Sequence, residues 1–209
     1  MAEYDFTNAW FDPFAKSNWE QLLPQLKPSR ILEIGSFEGR STCYLIDNLA
    51  AERELEIHCI DTFEGGIENK PGGFAVADMS AVESRFFHNT NLALSRAANK
   101  VDFHVHKGFS DVELPKLLAN GLQGYFDFIY VDGSHQAPHV LLDAVLSLKL
   151  CRVGGVIGFD DYIWTEPLPS IDVLRTPKLA VDAFTNIYRG SLRILPIVSQ
   201  QVYVEKTAE

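Results

Sequence analysis

The chain is 209 residues long, 46% hydrophobic and 22% charged, with a formal charge of −10. That length and composition suit one globular domain with a substantial core. The acidic balance disfavours nucleic acid or an anionic membrane as partner, because both are bound through basic patches. Cys43, Cys59 and Cys151 lie far apart in apolar runs and form no Cys-x-x-Cys pair, so they read as buried free thiols in a reducing compartment. The segment from Met1 to Trp10 lacks the basic and apolar regions of a secretory leader, and no apolar run is long enough to span a bilayer. A cytoplasmic location is expected.

Residues 1–15 are aromatic and acidic, and Pro13 limits any helix there. Their rings (Tyr4, Phe6, Trp10, Phe11, Phe14) are expected to pack either on a second copy of the chain, making a homo-oligomer, or on the chain's own lid. Residues 16–27 read as a helix with Trp19, Leu22, Leu23 and Leu26 on one face, stopped by Pro28. Ile31 to Ile34 is an apolar strand, and a helix runs from Ser41 to Leu49. Glu56 to Ile60 is the second strand, ending at Asp61-Thr62. Residues 63–76, with Gly65-Gly66 and Pro71-Gly72-Gly73, form a mobile loop before a helix from about Asp78 to Ala98. This long insertion, 63–98, is either a lid over the site or a surface excursion; the lid is favoured. Val101 to His106 is the third strand and 111–120 a short helix. Phe126 to Val131 is an uninterrupted strand suited to the doubly covered middle of a parallel sheet. Val140, Leu141, Ala144, Val145 and Leu148 recur at helical spacing. Val153 to Phe159 is the fifth strand, with Gly154-Gly155 at its entry. A helix follows over 177–189, then a closing hairpin of Arg193 to Val198 and Gln201 to Glu205. The alternation implies a single α/β domain, a doubly wound, Rossmann-like, mostly parallel sheet with an antiparallel C-terminal hairpin.

The strand–turn–helix Ile31-Leu32-Glu33-Ile34-Gly35-Ser36-Phe37-Glu38-Gly39-Arg40-Ser41-Thr42 is built like a nucleotide-type site. Phe37 occupies the place of the middle glycine of a dinucleotide fingerprint, and Glu33 and Glu38 flank the turn with negative charge. Both features disfavour a pyrophosphate and suit a cationic adenosine ligand, S-adenosylmethionine. Asp61 falls roughly 20 residues after the turn, where a carboxylate can take the ribose hydroxyls, or it is simply an N-capping Asp. Acidic residues stand at four strand ends: Glu33, Asp61, Asp132 and the pair Asp160-Asp161. Asp132, Asp160 and Asp161 together would repel unless a cation such as Mg²⁺, or another hard divalent ion, held them; alternatively Asp161 caps the next segment. His135 is either a base for a substrate hydroxyl or a first-turn residue bonded to a neighbouring carboxylate. His58, His88, His104, His106 and His139 are assigned structural or surface roles.

Taken together, Glu33-x-Gly35-x-x-x-Gly39, Asp61, Val131-Asp132-Gly133-Ser134-His135 with Asp143 downstream, and Gly154-Gly155-Val156-Ile157-Gly158-Phe159-Asp160-Asp161-Tyr162 resemble the class I S-adenosylmethionine-dependent methyltransferases. Within them the set is similar to the metal-dependent sugar and macrolide O-methyltransferases, relatives of catechol O-methyltransferase, over roughly residues 28–165. The resemblance implies a seven-stranded sheet whose last strand is antiparallel. It implies O-methylation of a small-molecule hydroxyl, of sugar or phenol type. Glu33, Gly35, Ser36, Phe37, Gly39, Ser41, Asp61, Thr62, Gly108, Phe109, Ser110 and Asp132 would surround the cofactor, with Gly108-Phe109-Ser110 bordering the adenine. Asp132, Asp160 and Asp161 would hold the metal, and His135 or Asp132 would accept the proton. Segment 162–178, with Trp164, Pro167, Pro169 and Pro177, fits no acceptor-site pattern. Two rival functions are a nicotinamide-dependent oxidoreductase and a non-catalytic module that binds S-adenosylmethionine or a protein partner.

Overall fold

The computed structural model describes residues 3–197 and 200–209. In chain order the elements are α1 (Ala15–Leu26), β1 (Arg30–Ile34), α2 (Arg40–Leu49), β2 (Leu55–Asp61), α3 (Met79–Arg96), β3 (Val101–Lys107), α4 (Ser110–Ala119), β4 (Phe126–Val131), α5 (Ala137–Leu150), β5 (Cys151–Phe159), α6 (Pro177–Ile187), β6 (Leu192–Ile194) and β7 (Val202–Lys206). The strands form one sheet in the order β3-β2-β1-β4-β5-β7-β6. The first five strands pair in parallel, and β7 runs antiparallel to both β5 and β6. This is the doubly wound, Rossmann-like arrangement expected from the sequence. The order reverses between β1 and β4, which opens a crevice at their carboxyl ends.

Alternate side chains of each strand feed two cores. Ile31, Phe128 and Tyr130 join Trp19, Leu45, Ile46 and Phe86 on the face covered by α1, α2 and α3. Leu32, Ile129 and Ile157 join Leu117, Ala144 and Phe184 on the face covered by α4, α5 and α6. β4 is buried along its whole length, which is why its sequence shows no polar alternation. Among the described residues no helix is long and apolar enough to cross a membrane. Cys43, Cys59 and Cys151 are buried and unpaired.

Several expected features take a different form. The fifth strand begins two residues earlier than expected, so that Gly154-Gly155 lies further inside it. β5 starts at Cys151, shifts register between Phe126 and Phe128 of its neighbour, and turns through Gly154 at φ +76°. The helix of the insertion is a layer helix, since Val82, Phe86, Asn89, Thr90 and Ala93 of α3 are buried. The loop before it is laced to itself. Asn69 is buried, its Oδ1 accepts from the Gly66 amide at 3.0 Å, and its Nδ2 donates to the Ala75 carbonyl at 3.0 Å. The first hairpin strand is short, because after the Leu195 amide bonds the Tyr203 carbonyl the Ile197 amide turns back to the Leu195 carbonyl instead of continuing the ladder; Val198 lies outside the described residues.

The N-terminal aromatic segment packs on its own chain. Phe11 meets Trp19 and Tyr44 at ring distances of 5.0 and 5.2 Å, and the Tyr4 hydroxyl donates to Asp47. Asp5 and Asn89 exchange hydrogen bonds, the Asp5 amide to Asn89 Oδ1 at 2.7 Å and Asn89 Nδ2 to the Asp5 carbonyl at 3.0 Å.

Asp143 of α5 is 1% exposed, and burial pushes its carboxyl up to about 6, with the negative Asp111 adding to the shift. A carboxyl raised above its unfolded value binds more protons when folded, so its contribution weakens as pH rises from about 4 to about 6 and stays weak above that. Asp143→Asn removes the buried charge. The variant is expected to be about 1–2 kcal/mol more stable than the parent at pH 7.5, a few degrees in midpoint, with the gap closing towards pH 4. A gap independent of pH in thermal unfolding would show that Asp143 is neutral or solvated throughout.

Candidate active site

Chemistry-bearing side chains gather at the carboxyl ends of β1, β2, β4 and β5. Gly35 leaves β1 with φ +85°, and a Cβ placed on it would lie 2.1 Å from the Asp132 carbonyl oxygen and 2.6 Å from Gly133 Cα. The turn after β1 and the loop after β4 therefore share a wall made of backbone alone. Two hydrogen bonds of 2.8 Å fix it, from the Gly35 amide to the Ile60 carbonyl and from the Asp132 amide to the Ile34 carbonyl.

Glu33 lies beneath this turn, fully buried. Its Oε2 accepts from Ser36 Oγ at 2.6 Å and from Thr42 Oγ1, while Oε1 has no partner among the described residues. Burial pushes the Glu33 carboxyl up, and hydrogen bonds from Ser36, Ser41 and Thr42 partly counter this. Asp61 closes the turn from β2. Its Oδ2 accepts the Ser36 and Phe37 amides at 2.8 and 2.9 Å, and Oδ1 accepts the Phe63 amide at 2.7 Å. A carboxylate has about four lone-pair positions, so Oδ1 keeps room for one further donor rather than two. Phe37 takes φ +47°, and Trp10 rests against its ring at 5.2 Å. Thr62 Oγ1 accepts the Glu64 amide at 3.1 Å. The Gly108 amide donates to the Asp61 carbonyl at 3.0 Å; Phe109 is 60% exposed, and Ser110 opens α4.

Glu38 does not face the ligand side of the turn. It is buried under the N-terminal segment, where it accepts from the Thr7 amide and hydroxyl, both at 2.7 Å, with Arg85 Nη1 at 3.4 Å. Charge near a turn is visible in sequence, but the direction in which it points is not.

Asp132, Asp160 and Asp161 line one small cavity with His135 and Pro177. Burial and then the neighbouring Asp160 and Asp161 charges push the Asp132 carboxyl well up; burial and Asp161 raise Asp160. Uncompensated repulsion among three carboxylates is the condition that a hard cation relieves, so the donor set fits one in kind. The oxygens are not gathered as a finished ligand shell. Among the described residues the set whose ligand atoms all lie within 4.8 Å of one another is Glu56, His58 and His104, lower on the sheet. Asp160 is instead held by the Tyr130 hydroxyl, by Gln201 Nε2 at 2.9 Å and by the Asp161 amide at 2.7 Å. Asp161 does not cap the next segment through its side chain; Oδ2 pairs with His135 Nε2 at 2.9 Å, and its backbone sits at φ +55°.

His135 thus takes the carboxylate-bonded form. Burial lowers its affinity for a proton, but Asp161 and Glu68, the latter 3.3 Å from Nδ1, more than reverse this and hold it up at about 9. Its ring stacks on Trp164 at 4.1 Å, and Trp164 reaches Phe74 at 6.0 Å. Glu68 and Phe74 from the loop before α3, and Trp164 from the stretch after β5, therefore form one side of the site. Neither loop has a periodicity that marks such a role. Gln201 was equally hidden in sequence. Its Oε1 accepts from Asn18 and from Tyr203, both at 2.6 Å, so one amide joins α1, β7 and Asp160.

Gly35→Ala drives a side chain into backbone from an unfavourable φ, and we expect a loss of ~3 kcal/mol or more in denaturant unfolding. A loss below about 1 kcal/mol would mean that the two loops are not in firm contact.

Caffeoyl-CoA O-methyltransferase 1 of Eucalyptus globulus is 28% identical over 168 residues, covering 80% of this chain and 56% of that protein. The chain spans about half the length of the curated relatives that it matches. Among solved structures, the O-methyltransferase TomG from Streptomyces achromogenes, involved in tomaymycin synthesis and in complex with SAM, superposes with a TM-score of 0.62 at 20% identity, over 93% of this chain and 80% of that one. An O-methyltransferase from Bacillus cereus in complex with SAH gives a TM-score of 0.61 at 19% identity, over 98% and 84%. At these identities the likeness is one of fold. The sequence from Leu32 to Tyr162, well over half of the chain and the part that carries Glu33, the Gly35 turn, Asp61, Asp132, His135, Asp160 and Asp161, matches the family described as a methyltransferase domain, and the chain belongs to that family.

Proposed function

We propose that the protein is an S-adenosylmethionine-dependent O-methyltransferase acting on a small-molecule hydroxyl of sugar or phenol type, with a divalent cation assisting, in the cytoplasm. The observation that carries this reading is the backbone wall shared by the Gly35 turn and the Asp132 loop. A methyl donor lying along the turn and a hydroxyl lying against Asp132 and His135 would be neighbours, and alignment is the main demand of an in-line displacement.

The fit of the cofactor rests on the orphaned, buried Glu33 Oε1 beneath the turn, which suits a cationic donor group at the methionine end. Asp61 Oδ1 has room for one ribose hydroxyl. Asp132, Asp160 and Asp161 are the residues to hold a cation such as Mg²⁺. When bound, a cation there would polarise and acidify a hydroxyl oxygen. While paired to Asp161 and Glu68, His135 Nε2 holds a proton and orients rather than accepts. Released from Asp161, it is a base within reach of the same cavity; Asp132 is the other acceptor. The Trp164 and Phe74 rings offer a flat wall for a ring-bearing acceptor, and residues 63–76, with Glu68 on His135, act as the cover.

Thermal unfolding with S-adenosylhomocysteine tests the cofactor. At about 100 times its dissociation constant the midpoint should rise by about 5–11 °C. No shift, with Mg²⁺ or with chelator, would remove the methyltransferase reading. In assays with catechol and sugar hydroxyl acceptors, His135→Ala is expected to lower turnover about 10²-fold while leaving the S-adenosylhomocysteine shift intact. Turnover equal to the parent would take His135 out of the chemistry.

A further inference from the structure

Away from the candidate active site, β2 and β3 carry a second group of chemically active side chains. Parallel pairing places Glu56 beside Asp102, His58 beside His104, and Ile60 beside His106. Since side chains alternate along a strand, Glu56, His58, Asp102, His104 and His106 share one face of the sheet, at its β3 edge. The His58 ring stacks on His104 at 4.4 Å and on His106 at 5.1 Å. One ligand atom from each of Glu56, His58 and His104 lies within 4.8 Å of the other two. We propose that Glu56, His58 and His104 form a binding site for a borderline-soft divalent cation of the zinc class, separate from the three-aspartate cluster.

The donor set decides the class of ion. Two imidazoles and one carboxylate suit Zn²⁺ or Co²⁺ and leave a position for water, whereas the all-oxygen cluster at the strand ends suits Mg²⁺. Groups that orient such ligands are already in place. As the side chains stand, His58 Nε2 donates to Glu56 Oε1 at 2.9 Å and Nδ1 accepts from His106 Nε2 at 2.9 Å; the other tautomer, with the proton on Nδ1 and His106 Nε2 accepting, frees both Nε2 and Glu56 Oε1 for a cation. The Tyr125 hydroxyl donates to Glu56 Oε2 at 2.7 Å, and Asp102 Oδ1 stands 3.2 Å from His104 Nε2. The site is also reachable, since the His104 side chain is 41% exposed. A cation there would tie the edge strand β3 to β2. Methyl transfer is not required for any of this.

The test is a titration of the full chain with Co²⁺ and then Zn²⁺, in excess Mg²⁺ so that the aspartate cluster is occupied. The expected result is uptake of one Co²⁺ per chain with a visible ligand-field band, its displacement by Zn²⁺, and a rise in unfolding midpoint of about 5 °C or more at saturating Zn²⁺. His104→Gln, at an exposed position, should weaken uptake at least tenfold, and Glu56→Gln, which keeps the side-chain shape, should do the same. Asp160→Asn should leave uptake unchanged. Absence of a band and of a midpoint shift would overturn the proposal. So would uptake that persists in both His104→Gln and Glu56→Gln, or that is lost in Asp160→Asn.

Discussion

The site depends on one close approach of backbone to backbone. Gly35 turns away from β1 against the Asp132 carbonyl, with no space between them for even a methyl group. The contact is possible because β1 and β4 are hydrogen-bonded neighbours at the point where the strand order reverses. Their two exit loops touch where they begin, before leading to α2 and α5 on opposite faces of the sheet. The carboxylates of Glu33 and Asp61 then fix the turn from below and from the side, each through hydrogen bonds to its backbone or hydroxyls. A loop containing several small polar residues becomes rigid because its partners are buried and charged.

The same economy of space creates an electrostatic problem. Glu33, Asp61, Asp132, Asp160 and Asp161 all bear on one region, and Asp132 feels each of the other four. The protein's own compensation is partial. His135 answers Asp161, and the neutral donors Tyr130 and Gln201 answer Asp160. Asp132 gets little relief from within the chain. A positively charged ligand, sulfonium or metal, would complete the balance, and this is the physical sense in which the region is built for cations.

How much of this was legible in sequence follows from what each signal measures. Apolar runs such as Phe126 to Val131 and Val156 to Phe159 located the parallel strands, because burial on both faces suppresses polar residues. Acidic residues at strand ends located the site, because few other places on an α/β sheet gather unlike segments of chain. Direction was not legible. Glu38 sits between two glycine-turn residues yet points into the N-terminal segment, and the extra ring neighbours of His135 come from loops with no repeating pattern. The histidines of β2 and β3 show the same limit. His104 and His106 in β3, and Glu56 and His58 in β2, are each two residues apart and so share a face, but only the parallel register brings the two pairs into contact.

The Gln201 amide gives the site a history as well as a shape. Asp160 finds a principal buried donor 41 residues further along the chain. During synthesis at about 5–20 residues per second, all five parallel strands and Asp160 itself emerge seconds before that donor does. In that interval the strand order that creates the crevice can already exist, while the carboxylates within it lack their fixed hydrogen bonds. Maturation of the site is therefore expected to be a late step, following the pairing of β7 with β5 rather than the formation of the parallel sheet. Helix α1, made first but joined to the same amide through Asn18, is locked at that moment too.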